Sequence, residues 1–208
     1  MERTDCRMDG LSPRERRHEA ILDAAEALFI EQGYDGTSLA EIVRRSGGSL
    51  ATLYELFGNK QGLLHAIATR WRDRMEDEPA ESGPAAPRSP AEMLTDYACR
   101  RCRTLNSPHT VALIRMLVSE GLRDRAFAVQ VYRDMHLPAI EQLSDLFAGW
   151  TAAGQARIDD PRAAAEMFLS LIAGDSILST LTGVAEGVLS EEQIAWRLRP
   201  FLSYFRIG

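Results

Sequence analysis

Cysteine is scarce in this chain. Its 208 residues hold three, Cys6, Cys99 and Cys102, an odd, low number that excludes a small secreted fold built on disulfides. No apolar run approaches the ~20 residues that a bilayer-spanning helix needs, so no membrane partner is expected. The opening stretch MERTDCRMDGLSPRERR is charged and has no apolar centre. It does not read as a secretory signal, and a cytoplasmic location is expected. Positive charge is not in excess either: 24 Lys and Arg stand against 30 Asp and Glu, a net charge of −6. Bulk electrostatics gives no support to a nucleic-acid partner, so any such binding must rest on local placement of charge. Catalytic signals are missing as well. There is no phosphate-cradling glycine loop, no metal-ligand spacing of His and Glu, and no nucleophile motif, so neither catalysis nor a cofactor or metal is expected.

What remains is helical signal, almost throughout. Ser12-Pro13-Arg14-Glu15 supplies a Ser cap, Pro at the first helical position and Glu at the third. Ile21, Leu22, Ala25, Leu28 and Phe29 then recur on one face until Gly33. Ser38-Leu39-Ala40-Glu41 reads as a second capping box, closed by Gly47-Gly48, and Ser49 opens a short helix that stops at Gly58-Asn59. A longer helix follows, with Leu64, Ile67, Ala68, Trp71 and Met75 on one side. Residues 77–89, rich in Pro, Gly and small side chains, read as a linker. Beyond it, Ser89-Pro90, Ser107-Pro108, Asp160-Pro161 and Ser190 with Gln193 mark further helix starts. Pro138 and Pro200 fall inside helical patterns and are expected to kink or break them. There is no strand alternation and no repeat. The chain therefore reads as all-α: three compact N-terminal helices and a connecting helix, residues 12–75, then a larger helical bundle, residues 76–208.

The segment SGGSLATLYELFGNK, Ser46 to Lys60, carries the functional signal. Two short helices around a tight Gly turn form a helix-turn-helix, whose second helix enters the major groove of DNA. A helix over Ser49–Phe57 is about 12–14 Å long at 1.5 Å per residue, against a groove about 12 Å wide. Ser49 and Thr52 would reach base edges or phosphates and Tyr54 a phosphate, Ala51 and the Thr52 methyl suit thymine methyls, and Leu50 is a further candidate contact on the same short helix. Lys60, at the start of the next helix, suits a phosphate, and Thr37 and Ser38 would grip the backbone at the start of the first motif helix, with Arg44 near its end. Taken singly, Ser38 and Ser49 are caps, Tyr54 a half-buried aromatic and Lys60 a solvated charge. Their order and spacing together favour DNA.

That order, Gly33-Tyr34, Thr37-Ser38, Ile42, Gly47, Ser49, Leu53-Tyr54, Phe57, Lys60 and Leu63-Leu64, closely resembles the helix-turn-helix of the TetR family of bacterial transcription regulators. RIDDPRAAAEMFLSLIAG and LIRMLVSEG look like the C-terminal domains of AefR-like and AcrR-like members. The resemblance implies a homodimeric, ligand-responsive regulator, a repressor, that binds double-stranded operator DNA and responds to a small-molecule effector. Leu50, Glu55 and Leu56 depart from the family's usual small, basic or aromatic residues, and residues 12–60 hold six basic against eight acidic side chains. Arg14, Arg16, Arg17, Arg44 and Arg45 would have to make a local basic tip. The other readings are an all-α enzyme or ligand carrier, and an interaction module that keeps the fold without reading DNA.

For dimerisation, the family pairs its last two long helices. Met167–Leu181 is apolar nearly all round, with Ile172, Ala173, Gly174 and Leu178, and the last helix adds Leu198, Phe201 and Phe205 on one stripe. Monomer core is the alternative. Met93, Tyr97, Met116, Leu117, Tyr132, His136 and Phe168 are candidate pocket residues, because Met and aromatic side chains adapt to apolar ligands. Asp175 would pair with a cationic ligand or hydrogen-bond a neighbouring helix. Cys99 and Cys102 read as small buried hydrophobes, with redox or metal sensing as the alternative.

Overall fold

The computed structural model of the chain describes residues 12–76, 88–183 (backbone alone over 174–180) and 189–208. The fold is all-α, and no strand occurs among the described residues. Helix α1 spans Pro13–Gln32, α2 Leu39–Ser46, α3 Leu50–Phe57 and α4 Lys60–Glu76. Then come α5 (Pro90–Leu105), α6 (Pro108–Arg123) and α7 (Arg125–Val131). A wider π turn, Tyr132–His136, leads into α8 (Leu137–Ala152), followed by α9 (Pro161–Thr182) and α10 (Glu191–Tyr204). The linker read at 77–89 lies outside the described residues except for its last two, as does Cys6.

The caps set the boundaries. At Ser12, Ser89 and Ser190 the hydroxyl accepts from the third helical amide, and Glu15, Glu92 and Gln193 return an oxygen to the Ser amide. Each such cap stabilises its helix by about 1 kcal/mol. The box at Ser38 forms only in half. Its hydroxyl accepts from the Glu41 amide, but the Glu41 carboxylate turns to Gln32 Nε2 at 3.0 Å instead.

The two internal prolines behave differently from each other: the pattern breaks at Pro138 as expected, and runs on through Pro200. Pro138 lacks the amide that would serve the Asp134 carbonyl; the chain widens into the π turn just before it, and the Arg72 guanidinium of α4 donates to that carbonyl instead. Pro200 breaks nothing, and α10 runs on to Tyr204. A mid-helix proline costs about 3 kcal/mol. Leu198 and Phe201, fully buried on either side of it, recover about 1.5–3 kcal/mol each.

Two cores result. The first gathers Ile21, Leu22, Leu28 and Phe29 of α1, Ile42 of α2, Leu53 and Phe57 of α3, and Leu63, Leu64 and Ile67 of α4, with Leu113 of α6 and Phe127 of α7 joining it. The second is built by α5, α8, α9 and α10 around Phe147, Phe168 and Phe201, whose ring centroids lie 5.5–6.3 Å apart. The stripes expected to dimerise go here instead: Ile172, Leu198 and Phe201 are buried within one chain, and Phe205 packs on Phe201 at 4.8 Å. Ala173 is half-buried on α9; the side chains of Gly174, Asp175 and Leu178 lie outside the described residues. Helix α4, about 25 Å long, runs between the cores. Its Arg70 holds α1 through Glu19 at 3.0 Å, Asp23 at 2.7 Å and Glu26.

Candidate nucleic-acid interface

The turn between α2 and α3 is fixed by backbone chemistry. Gly47 stands at φ +73° and its amide bonds the Val43 carbonyl at 2.9 Å. A side chain there would be strained in the left-handed region, so glycine is required. Arg17 closes the turn from α1, donating to the Gly47 carbonyl at 2.6 Å and the Ser46 carbonyl at 3.4 Å. Ser49 caps α3 by accepting from the Thr52 amide at 3.1 Å. Leu53 and Phe57 then anchor α3 in the core, with the His18 ring 4.8 Å from Phe57. Ala51 and Glu55, on the opposite side of α3, are exposed, and Leu50 in its first turn and Tyr54 on its flank are 41% and 52% exposed. An eight-residue helix of ~12 Å matches the major groove.

The other sequence-predicted contacts fall into two groups. Ser38, Ser49 and Arg44 are exposed at the helix ends, Thr52 is half-buried with its hydroxyl 2.9 Å from that of Ser49, and Arg44 is 3.6 Å from Glu41. Thr37 and Lys60 are engaged inside the fold. Thr37 is buried, and its hydroxyl donates to the Gly33 carbonyl at 2.9 Å and the Leu28 carbonyl at 3.2 Å. Lys60 donates to the Tyr34 carbonyl and lies 4.4 Å from the Tyr34 ring centroid. Burial holds its ammonium below the usual lysine range. Both residues position the loop between α1 and α2.

The acidic excess also finds its place. Of the eight acidic residues in 12–60, Glu19, Asp23 and Glu26 bind Arg70. Glu31 takes Arg45 through two bonds of 2.7 and 2.9 Å, and Asp35 takes Arg123 through two of 2.8 and 3.0 Å. Glu15 closes the first cap. Glu55 lies 3.8 Å from Arg14, both well exposed. An exposed pair of that length contributes at most ~1 kcal/mol, so a phosphate displaces Glu55 from Arg14 at little cost.

A polar cluster joins this unit to α6. The Tyr34 hydroxyl bonds the Glu120 carboxylate, and burial with that negative charge drives the phenol far above its ordinary value. Gln61 reaches Glu120 at 3.3 Å, and Arg123 bridges Glu120 and Asp35. Sequence reasoning missed this cluster, because partners 59 and 88 residues apart leave no periodic trace.

A cavity of about 420 Å³ opens between α4, α5 and α8. Its apolar wall is Trp71, Met75, Tyr97, Met135, Leu143 and Leu146; Arg72, Arg100, Arg101, Thr104 and Gln142 are its polar groups. Of the pocket residues read from sequence, Tyr97 lines it. Phe168 is buried in the second core, Met116 and Leu117 pack on the first, and Met93 and Tyr132 are exposed. His136 sits 5.1 Å from the Tyr132 ring and does not line the cavity. Cys99 and Cys102 are buried; Cys102 Sγ donates to the Ile172 carbonyl at 3.4 Å. Burial pushes both thiols up, away from reactive thiolates. Among the described residues no group of three His, Cys, Asp or Glu is placed to hold a metal, and no helix is long and apolar enough to cross a membrane. On α9 and α10, Met167, Trp196 and Tyr204 stand exposed, Trp196 by 67%.

Comparison with known proteins agrees with this geometry. A family model described as "Bacterial regulatory proteins, tetR family" matches residues 21–67. Another, described as "AefR-like transcriptional repressor, C-terminal domain", matches residues 92–200, just over half of the chain. The HTH-type transcriptional repressor ComR of Escherichia coli strain K12 is 34% identical over 100 residues, covering 48% of this chain and 48% of that protein. The chain thus spans about half the length of that relative. The HTH-type transcriptional regulator BetI of Rhizobium meliloti strain 1021 is 28% identical over 190 residues, covering 88% of this chain and 90% of that one. Among solved structures, the flavonoid-responsive regulator FrrA superposes with a TM-score of 0.70 at 30% identity, over 92% of this chain and 95% of that chain.

Proposed function

The chain belongs to the TetR family of bacterial regulators, and from that premise we propose that it is a dimeric repressor, reading operator DNA through α3 and releasing it when a small molecule fills the α4–α5–α8 cavity. Residues 12–75 form the DNA-reading unit and residues 76–208 the effector-binding and dimerising unit. The observation that carries this reading is the presentation of α3. A glycine turn clamped by Arg17 holds it, Leu53 and Phe57 anchor it, and Leu50, Ala51 and Tyr54 face outward. Apolar contact to thymine methyls and a phenol to a phosphate fit that face. Ser38, Ser49 and Arg44 add backbone contacts at the helix ends, while Thr37 and Lys60 fix the loop that orients them.

Coupling follows from α4, which belongs to both regions. Its C-terminal half lines the cavity with Trp71, Arg72 and Met75, and its first turn carries Lys60 and Gln61. Trp71 donates to Thr110 of α6 at 3.0 Å, and His65 lies 3.0 Å from Asp134 of the π turn. A ligand that prefers one setting of α4 shifts the two DNA-reading units of a dimer away from the ~34–36 Å spacing that successive major-groove faces need. That the regulator FrrA is described as flavonoid-responsive supports ligand control here. The exposed Met167, Trp196 and Tyr204 suit the dimer face, in place of the buried stripes.

A second reading, a helical ligand-binding protein that keeps the fold without specific DNA binding, draws on Glu55 beside the outward face and on the net charge of −6. Mobility shift on DNA flanking the protein's own gene separates the two. A specific shift that weakens as salt rises supports the regulator; equal retardation of random DNA supports the alternative.

A further inference from the structure

The cavity between α4, α5 and α8 is unbalanced in charge. Three guanidiniums, Arg72, Arg100 and Arg101, reach a hollow whose other lining is apolar except for the neutral Thr104 and Gln142. Arg72 is engaged by the Asp73 carboxylate at 2.6 Å and by the Asp134 carbonyl. Arg100 pairs with Asp96, but Asp96 also takes Arg88 at 3.1 Å, so one carboxylate serves two cations. Arg101 is half-buried, and among the described residues no carboxylate lies within ion-pair reach of it. His136 adds no second positive charge near neutral pH: burial first, and then the field of Arg101, push its imidazole down. The acid His136 also senses, Glu166, is held by Arg162 at 3.4 Å. Asp134, in the same π turn as His136, is taken by His65 at 3.0 Å.

A half-buried guanidinium beside Met, Leu and Trp side chains is unfavourable without an anion, because burial removes water that nothing else replaces. The fork of Arg matches a carboxylate through two parallel bonds. Thr104 and Gln142 supply neutral groups for the remaining lone pairs. The apolar part of the lining, Trp71, Met75, Leu143 and Leu146, has no charge and asks for hydrocarbon. Of the three guanidiniums lining the cavity, Arg101 alone has no carboxylate partner among the described residues, and the single charge of one carboxylate answers its fork. A hollow of about 420 Å³ lies near the small end of ligand pockets and suits a body on the order of ten carbons.

We propose that this cavity binds an amphipathic monocarboxylate, its carboxylate on Arg101 and its apolar body against Trp71, Met75 and Leu143. The proposal rests on the reading of this cavity as the effector site. Isothermal titration of the full-length protein tests it with two carboxylates of different shape, decanoate and 2-naphthoate, each against its neutral alcohol, with decylamine as the cationic counterpart. At least one carboxylate is expected to bind tenfold or more tighter than its alcohol and than the amine. Arg101→Gln removes that preference by weakening the carboxylate at least tenfold while the alcohol stays within threefold; Arg101→Lys, which keeps the charge without the fork, falls between. The wild-type comparison needs no variant and so does not depend on how the variants fold. Equal binding of acid and alcohol, tighter binding of the amine, a preference that survives Arg101→Gln, or no binding of either carboxylate overturns the proposal. Mobility shift run beside the titration separates it from the regulatory reading. A carboxylate that binds through Arg101 and leaves the DNA complex intact upholds the anion site and sinks effector control, whereas release by a neutral or cationic compound alone sinks the anion site.

Discussion

A methyl group added at Gly62 tests how α3 is held. Gly62 lies in the first turn of α4, its amide capped by Asn59 Oδ1 at 2.7 Å. A Cβ there would stand 3.2 Å from the Phe57 carbonyl carbon and closer still to its oxygen. These are backbone atoms at the end of α3, so no rotamer change relieves the contact. Two effects oppose each other in Gly62→Ala. Helix propensity favours alanine by about 1 kcal/mol, and forcing a methyl into a filled contact costs about 1–3 kcal/mol. The rigidity of the neighbour puts the cost at the upper end, leaving a net loss of about 1–2 kcal/mol, or a Tm lower by about 2–8 °C for a chain of this size. Relief requires α3 and α4 to separate, which moves the outward face bearing Leu50 and Tyr54, so DNA affinity is expected to fall at least tenfold. Gly149→Ala in α8 is the control. Nothing lies within 4 Å of its added Cβ, and the substitution is expected to raise stability by about 0.4–1 kcal/mol with DNA affinity unchanged. Thermal unfolding and mobility shift on both variants decide the matter. If Gly62→Ala matched Gly149→Ala in stability and bound DNA like the wild type, the reasoning that α3 is clamped against α4 would be refuted.

Glu55→Gln should free Arg14 for a phosphate, raise DNA affinity several-fold and steepen the slope of log K against log salt by about 0.9. Fluorescence anisotropy across a salt series measures both, and weaker binding would instead mean that Glu55 accepts from a cytosine amino group. Trp196→Glu places a charge on the exposed side of α10. Sedimentation should show the dimer shifting to monomer together with loss of the DNA complex, and an intact dimer would rule this face out as the contact.

The helices were legible because their signals are local. Ser12, Ser89 and Ser190 announce caps that depend on residues three positions away, and Gly47 and Gly58 stop their helices at positive φ. The outward face of α3 was legible in part: Leu53 and Phe57 repeat at a helical interval and leave Ala51 and Glu55 opposite, whereas the exposure of Leu50, on the same side as Leu53, follows from its place in the first turn. Three kinds of information were not local. Lys60 and Thr37 read as contacts for DNA, yet their polar atoms meet carbonyls of α1 and the following loop, partners set by tertiary packing. The stripes on α9 and α10 are as apolar as a dimer seam, and only the packing around Phe147, Phe168 and Phe201 shows that Ile172, Leu198 and Phe201 are monomer core. The cavity was hidden because its arginines, Arg72 on α4 and Arg100 and Arg101 on α5, sit on helices that read as ordinary amphipathic sequence. Pro200 shows the same limit from the other side: burial of Leu198 and Phe201 outweighs the lost amide bond.

Hydroxyl-radical footprinting of the full-length protein on the DNA that flanks its own gene is the most direct trial of the idea that a short, largely uncharged helix does the reading. The account predicts two protected patches centred ~34–36 Å apart along one side of the duplex, lost together in Gly62→Ala. Protection spread evenly along the fragment, or the same pattern on random DNA, would contradict it.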